Sequence, residues 1–361
     1  MNDKVTLMKG NEALAMAMIR YGADGYFGYP ITPQSEVLEK LEEEMPWETT
    51  GMVVLQAESE VAAINMVYGG AMTGKAVCTS TSSPGFSLMQ EGVSYLAASE
   101  VPALLINVQR GGPGLGTIHA SQADYFQACK GGGHGDYHMI VLAPSSVQEM
   151  ADMVALGFDL AFKYRCVSMI LADGTIGQLM EKVVLPEQRP RRTDDEIREQ
   201  CPWAVNGRKG MRPSNVVTSL ELDDDKMEEN NWRFQACYRE IEKNEPRCEL
   251  IDVEDCDYLI TAFGTTARVA MKTMELARAE GIKVGMFRPI TLWPFPEKQL
   301  REAAKNVKGI LCVELNAGQM VEDVKLAVEC KMPVEHYGRF GGNVPTPDEL
   351  LNVLKEKLIN K

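Results

Sequence analysis

Residues 102–108 read PALLINV, with apolar side chains at both odd and even positions. A strand that alternates apolar and polar residues can turn one face to water, whereas a run of this kind has to be covered on both. The flanking sequence supplies the cover. Helical patterns at 11–22 (NEALAMAMIRYG), 32–44 (TPQSEVLEKLEEE), 60–73, 85–99 (GFSLMQEGVSYLAAS) and about 145–163 alternate with strand-like segments. Those segments are GYFGY (25–29), GMVVLQ (51–56), AVCTS (76–80), MIVLA (139–143) and VSMILA (167–172). The alternation predicts an α/β fold, a doubly wound parallel sheet. Asn11 is placed to cap the first helix and Gly22 to stop it. Thr32 followed by Pro33 has the form of a cap and first helical position.

After Leu185 the pattern breaks. Residues 186–256 are charged and punctuated by proline, as in PEQRPRRTDDEIREQ and ELDDDKMEENN, and read as a linker with one helix near Trp232–Ile241. From Tyr258 the alternation returns through YLITAF, TTARVAMKTMELARAEG, IKVGMF, EKQLREAAKNV and GILCVE. Residues 257–361 therefore read as a second, smaller α/β domain behind a first of residues 1–185.

Composition closes several routes. The chain has 51 acidic against 37 basic side chains, a formal net charge of −14, and this argues against a basic surface for nucleic acid. No apolar run is long enough to cross a bilayer, and the opening residues lack the form of a secretory signal, so the cytoplasm is the expected compartment. Nine scattered cysteines, an odd number, suggest no disulfide framework. None lie at C-x-x-C spacing, so neither a zinc ribbon nor an iron–sulfur cluster is encoded.

Three strand–helix junctions carry candidate chemistry. In QAESEVAAIN (56–65) Glu60 shares a helical line with Ile64, Val67 and Ala71, whereas Glu58 falls off it. A carboxylate on an apolar stripe is costly unless paired or used. In GYPITPQSE, Thr32 lies between two prolines at the carboxyl edge of a sheet, where ligands gather in such folds. It is either a helix cap or a ligand contact. In NVQRGGPGLGT, Arg110 follows the buried strand and is itself followed by glycines that let backbone approach. That suits a small carboxylate, or else is a surface arginine on a loop. The string is neither a P-loop nor a dinucleotide fingerprint. KGGGHGDYH offers His134, Asp136 and His138, more in keeping with a Gly-rich loop than with a metal site, and no metal ligand is assigned in this chain. His119 and His336 have no special context.

These stretches in their order resemble the α subunit of the 2-oxoacid:ferredoxin oxidoreductases, which are thiamine-diphosphate enzymes. The likeness runs through GYPITPQSEVLE, QAESEVAAINMVYGGA, SPGFSLMQEGVSYL, RGGPGLGT, KGGGHGDY, VLAPSSVQEM, RPITLWPFP, ELNAGQMVEDV and GRFGGNVPTPDE, nearly the whole chain. It is most similar to the branched-chain subtype acting on 3-methyl-2-oxobutanoate (2-ketoisovalerate). The implied fold is a pyrimidine-type thiamine-diphosphate-binding domain followed by a transketolase C-terminal-like domain, the latter expected to be an assembly module.

The resemblance implies roles. Glu60 matches the glutamate that hydrogen-bonds N1′ of the thiamine diphosphate aminopyrimidine. Arg110 matches the substrate-binding arginine and Thr32 a substrate-contacting threonine. The implied reaction is oxidative decarboxylation of a 2-oxoacid with CoA to acyl-CoA, CO2 and reduced ferredoxin. Alternatives are the same chemistry on 2-oxoglutarate, pyruvate or an aryl pyruvate, or a non-catalytic structural subunit. The G-D-G string and downstream Asn of the diphosphate half-site are missing, ADGTIGQ (172–178) being the nearest, and so are ferredoxin-type cysteine runs. A β subunit is therefore expected to hold the diphosphate and Mg2+. A γ subunit and a ferredoxin-like δ subunit complete the expected hetero-oligomer, with the iron–sulfur clusters on the partner subunits.

Overall fold

The computed structural model describes residues 5–208, 210 and 212–360. Strand β1 (Val5–Lys9) runs straight into α1 (Gly10–Tyr21), followed by β2 (Gly25–Gly28), α2 (Ser35–Glu44), the turn α3 (Pro46–Thr49) and β3 (Val53–Gln56). Next come α4 (Glu60–Met72), β4 (Val77–Thr81), α5 (Pro84–Ala98), β5 (Ala103–Gln109) and the short α6 (Tyr125–Cys129). The block ends with β6 (Ile140–Leu142), α7 (Val147–Tyr164), β7 (Val167–Asp173), α8 (Gly174–Gln178) and β8 (Met180–Val184). Strands β6-β7-β5-β4-β2-β3 lie side by side in that order, all parallel. Every residue of β5 and β7 is buried, as the two-sided apolar pattern requires. Strands β1 and β8 form a separate antiparallel ribbon.

Two caps fall elsewhere than the sequence places them. Asn11 lies inside α1, which starts at Gly10, and its amide donates to Pro33 O (2.6 Å) and Glu36 Oε2 (2.9 Å). Thr32 does not cap α2. Gln34 N closes a turn on Ile31 O, and the helix starts at Ser35, leaving Thr32 exposed in the loop. Gly22 does end α1, at φ 84°.

The charged stretch holds two helices rather than one: α9 (Asp194–Gln200) and α10 (Asp224–Asn244). Along α10 the buried Phe234, Tyr238 and Ile241 recur at helical spacing, and Arg233 pairs with Glu100 at 2.8 Å, so the segment is packed on the first sheet's helices. Strand β9 (Cys248–Ile251) then enters a second sheet, ahead of the expected boundary at 257. The remainder is β10 (Tyr258–Thr261), α11 (Gly264–Ala279), β11 (Val284–Pro289), β12 (Thr291–Trp293), α12 (Glu297–Ala303), β13 (Gly309–Glu314), α13 (Met320–Ala327), β14 (Val334–Gly338) and α14 (Pro347–Leu354). The second sheet has the order β14-β13-β10-β11-β9, with β9 antiparallel to β11. Strand β12 leaves it and pairs antiparallel with β6, becoming the seventh strand of the first sheet.

Buried polar groups lock the two units together. Asp173 accepts from Thr265 N (2.8 Å) and Thr265 Oγ1 (2.5 Å), so the ADGTIGQ string is structural here. Fully buried Gln122 donates to Phe263 O (2.7 Å) and accepts from Leu315 N (2.9 Å). Glu314, also fully buried, takes the amide of Met320 (2.7 Å) and thereby anchors the start of α13. Satisfied buried networks of this kind fix one arrangement, because an unpaired member would bear the full desolvation cost.

Candidate functional site

The strand order brings the candidates together. β3, β2, β4 and β5 are neighbours, and at their carboxyl ends lie Glu60, Thr32, Ser83–Gly85 and Arg110. This is the edge of an open α/β sheet where loops leave room for ligands.

Glu60 is the first residue of α4. Ser59 caps the helix, its Oγ accepting from Ala62 N at 3.2 Å, which aims the Glu60 side chain inward from the helix start. Glu60 is only 6% exposed, yet among the described residues no donor hydrogen-bonds its carboxylate. It lies against Gly85 at the start of α5, where a Cβ would come within 2.7 Å of Glu60 Oε1 and collide with Thr81 Oγ1. Thr81 Oγ1 is itself buried without a partner. An acceptor and a hydroxyl, both unsatisfied and separated by a glycine, form a polar cradle that this chain does not fill. The residues present therefore fit the N1′ end of an aminopyrimidine.

Arg110 is held differently. Its Nη1 donates to Thr32 O at 2.8 Å, so two of the three predicted residues touch, although Thr32 does so through its backbone. Its Nε is buried and unpartnered. Behind it sits a network the sequence reading missed. The Arg110 amide donates to Ser83 Oγ (3.0 Å), Ser83 Oγ donates to Asp124 Oδ2 (2.6 Å), and Asn107 Nδ2 donates to the same Oδ2 (2.9 Å). Asn107 Oδ1 accepts from the amide of Ser83, which holds that residue at φ 21°. Burial pushes the Asp124 carboxyl above its ordinary range, against the two hydrogen bonds that favour its charge. The signal was Ser83 in the SPGF string, where β4 passes into α5, a string that entered the sequence reading only through the family resemblance.

A cleft of about 620 Å³ opens beside Arg110. One wall is the loop after β5, including Leu115. The other comes from the second domain: Leu315, Asn316 and Ala317 after β13, and Phe340 and Gly341 after β14. Leu115 and Phe340 are 83% and 60% exposed at its mouth. The second domain is thus more than an assembly module, because it forms a wall of the cleft. The strings ELNAGQ and RFGGN contain these residues.

The KGGGHGDYH loop lies outside that lining. Ser94 Oγ on α5 donates to His134 O (2.9 Å), and Gln235 on α10 donates to Asp136 O (2.6 Å). His138 stacks on Trp293 at 4.5 Å between ring centroids, and burial holds its pKa below the ordinary histidine value. Among the described residues, no cluster of three or more His, Cys, Asp or Glu is arranged to hold a metal ion. Nor is any helix long and apolar enough to cross a membrane.

Residues 16–242 match the family model described as pyruvate flavodoxin/ferredoxin oxidoreductase, thiamine diphosphate-binding, and residues 256–350 match pyruvate:ferredoxin oxidoreductase core domain II. The chain is 47% identical, over 97% of each sequence, to the ketoisovalerate oxidoreductase subunit VorB of Methanothermobacter marburgensis. It is 35% identical to the 2-oxoglutarate synthase subunit KorA of the same organism, over 96% of this chain and 97% of that one. Among solved structures, 2-oxoglutarate:ferredoxin oxidoreductase from Magnetococcus marinus superposes with a TM-score of 0.82 at 28% identity, over 98% of this chain and 65% of that one. A split-gene transketolase shares the fold at a TM-score of 0.59 and 13% identity, over 97% of this chain and 98% of that one. The architecture is accordingly a thiamine-diphosphate-binding fold with a second, transketolase-like domain, and the chain belongs to the pyruvate flavodoxin/ferredoxin oxidoreductase family.

Proposed function

We propose that this chain is the α-type subunit of a CoA-dependent 2-oxoacid:ferredoxin oxidoreductase whose substrate is 3-methyl-2-oxobutanoate. The observation that carries the reading is the buried, unpartnered Glu60 carboxylate against Gly85, the neighbour of Pro84 in the lining of the Arg110 cleft. Thiamine diphosphate, when bound, supplies the carbon nucleophile and the electron sink for decarboxylation. Glu60 holds a proton or hydrogen bond at N1′. Arg110, fixed by Thr32 O and by Ser83, pairs with the substrate carboxylate through its free guanidinium donors. Thr32 sets the position of Arg110 through its carbonyl, and its side chain, exposed in the same loop, contacts the substrate.

Substrate class follows from charge. Among the described residues Arg110 is the one cation in the cleft lining, and its one acid, Asp124, is committed to Ser83 and Asn107. A second carboxylate, as in 2-oxoglutarate, would find no second cation there, whereas a branched aliphatic tail meets Leu115 and Phe340. The nearby VorB relatives, named ketoisovalerate oxidoreductase subunits, support the same preference.

The site needs a partner. Next to Glu60, edge strand β3 exposes Val53 and Leu55 at 49% and 43%, and α4 exposes Val61 at 46%. An apolar edge and a helix apolar on most sides demand cover. A β subunit bringing the diphosphate and Mg2+ half-site fits there. The γ and δ subunits, with the iron–sulfur clusters and ferredoxin as acceptor, complete the assembly, which we place in the cytoplasm.

The test is reconstitution with the partner subunits and viologen reduction with 3-methyl-2-oxobutanoate, 2-oxoglutarate and pyruvate. The branched substrate should give the highest kcat/KM. A preference for 2-oxoglutarate would refute the substrate assignment, and full activity of this chain alone, without thiamine diphosphate, would refute the subunit assignment.

A further inference from the structure

The RPRR motif at 189–192 plays no part in the site above. It lies across the opposite, amino edge of the first sheet. Two of its arginines are neutralised: Arg191 pairs with buried Asp24 at 2.9 Å, and Arg189 with Asp159 at 3.5 Å. Arg192 has no carboxylate partner among the described residues. Its Nη2 donates to Gly74 O (2.8 Å), and its guanidinium lies 4.3 Å from the centroid of Phe162. Arg165, at the end of α7, is in the same position. It lies 4.6 Å from the centroid of Trp203, and its Nε donates to Glu100 O (3.2 Å), leaving the four terminal N–H donors without a hydrogen-bond partner among the described residues.

Both arginines line one cavity of about 630 Å³, together with Tyr21 and Trp203. The other charged groups in that lining cancel. Lys163 is bonded to Glu245 (2.7 Å), and Asp159 is engaged by Arg189 and by the Tyr21 hydroxyl (3.1 Å). Burial works against the charge on Arg165, and the Glu100 carboxylate that offsets it is itself paired with Arg233 at 2.8 Å. In a chain of net charge −14, two half-buried guanidiniums that no carboxylate hydrogen-bonds among the described residues, facing an aromatic cavity, call for an external anion. A carboxylate is saturated by one bidentate arginine, whereas a phosphoryl group offers three oxygens and up to two negative charges, matching two guanidiniums.

We propose that this cavity binds a small phosphorylated ligand, its phosphoryl group between Arg165 and Arg192 and its organic part against Trp203 and Tyr21. The site is separate from the catalytic cleft. Arg165 precedes β7, Arg110 follows β5, and these strands pair over seven residues, Ala103–Val167 to Gln109–Asp173, which spans roughly 20 Å.

The experiment uses the full-length chain with ADP and inorganic phosphate as probes, read by calorimetry and by the change in tryptophan emission that is lost in Trp203→Phe. ADP should bind saturably at one site, with phosphate competing. The double variant Arg165→Gln/Arg192→Gln should weaken ADP at least tenfold, while Arg110→Ala leaves its affinity unchanged. Should the double variant not fold, Arg165→Lys keeps the charge but loses the bidentate fork, and it should weaken ADP several-fold without moving the melting temperature. Absence of saturable binding, affinity that survives both arginine variants, or loss of binding in Arg110→Ala overturns the proposal. The last outcome would place the nucleotide in the catalytic cleft.

Discussion

The two halves of the candidate site differ in how finished they are. Around Arg110 the chain completes its own work: Thr32 O, Ser83, Asp124 and Asn107 hold the arginine, and the second domain walls the cleft. Around Glu60 the chain stops short, leaving a buried acceptor without a donor and an exposed apolar surface beside it. A preorganised half suits a group that must meet a small diffusing substrate in one geometry. An unfinished half suits a group whose partner arrives with another protein. Variants on the two sides should therefore fail in different ways.

The largest effect belongs to Glu60→Gln. In the assembled enzyme we expect proton exchange at C2 of the bound cofactor to slow by about 10²–10⁴-fold, the usual worth of a positioned proton-transfer group. The melting temperature of the chain should hardly move, since the carboxylate makes no bond within it. If exchange is unchanged, or if the variant unfolds, Glu60 is a structural residue and the contrast collapses. Next comes the apolar face. Leu55→Asp or Val61→Asp should abolish co-purification with the partner subunit while changing the stability of the isolated chain by no more than about 0.5 kcal/mol, as for other surface sites. Retained assembly would move the interface elsewhere.

On the finished side the expected loss is smaller and confined to substrate binding. Arg110→Ala should raise KM for the 2-oxoacid about 10–100-fold, the worth of a charged hydrogen bond, with kcat changed far less. Arg110→Lys should recover part of it, because the charge remains but the bidentate fork does not. A fall in kcat at constant KM would instead put Arg110 in the chemical step.

What could be read from the sequence follows the same division. Strands such as β5 and β7 are contiguous, apolar and short, so local pattern alone marks them, and with them the edge where Thr32, Glu60 and Arg110 gather. The isolation of Glu60 was legible too, because helical periodicity separated it from Glu58. The network behind Arg110 was not. Asn107, whose position in PALLINV resembles a buried strand residue, bonds across to Ser83 and Asp124 at separations of 24 and 17 residues, which periodicity does not encode. The wall supplied by Asn316 and Phe340 lies more than 200 residues beyond Arg110. For Thr32 the sequence leaves a cap and a ligand contact both open, because the X-Pro pattern fits a helix start and a loop equally well. In α10 the apolar positions are sparse among charges, so only half of its 21 residues were recognised.

The smallest effect tests how finished the Arg110 side is. Asp124 is half-buried and desolvation raises its pKa, so charging it costs native stability. Below the ordinary aspartate value the carboxyl is protonated in both folded and unfolded chains, and the cost is absent. As pH climbs past that value the unfolded chain ionises first, and stability is lost until the folded-state pKa is passed. In Asp124→Asn the side-chain carbonyl can still accept from both Ser83 Oγ and Asn107 Nδ2, but nothing titrates. The variant should therefore gain on the wild type as pH rises through this window and stay ahead at neutral pH, by about 1 kcal/mol or less. Its KM should remain within about twofold, because Ser83 and hence Arg110 stay in place. Chemical denaturation at several pH values measures the difference directly. A pH-independent difference, or one that favours the wild type at neutral pH, would mean that the Asp124 charge is itself needed to hold Ser83, and that this half-site depends on ionisation more than on hydrogen-bond geometry.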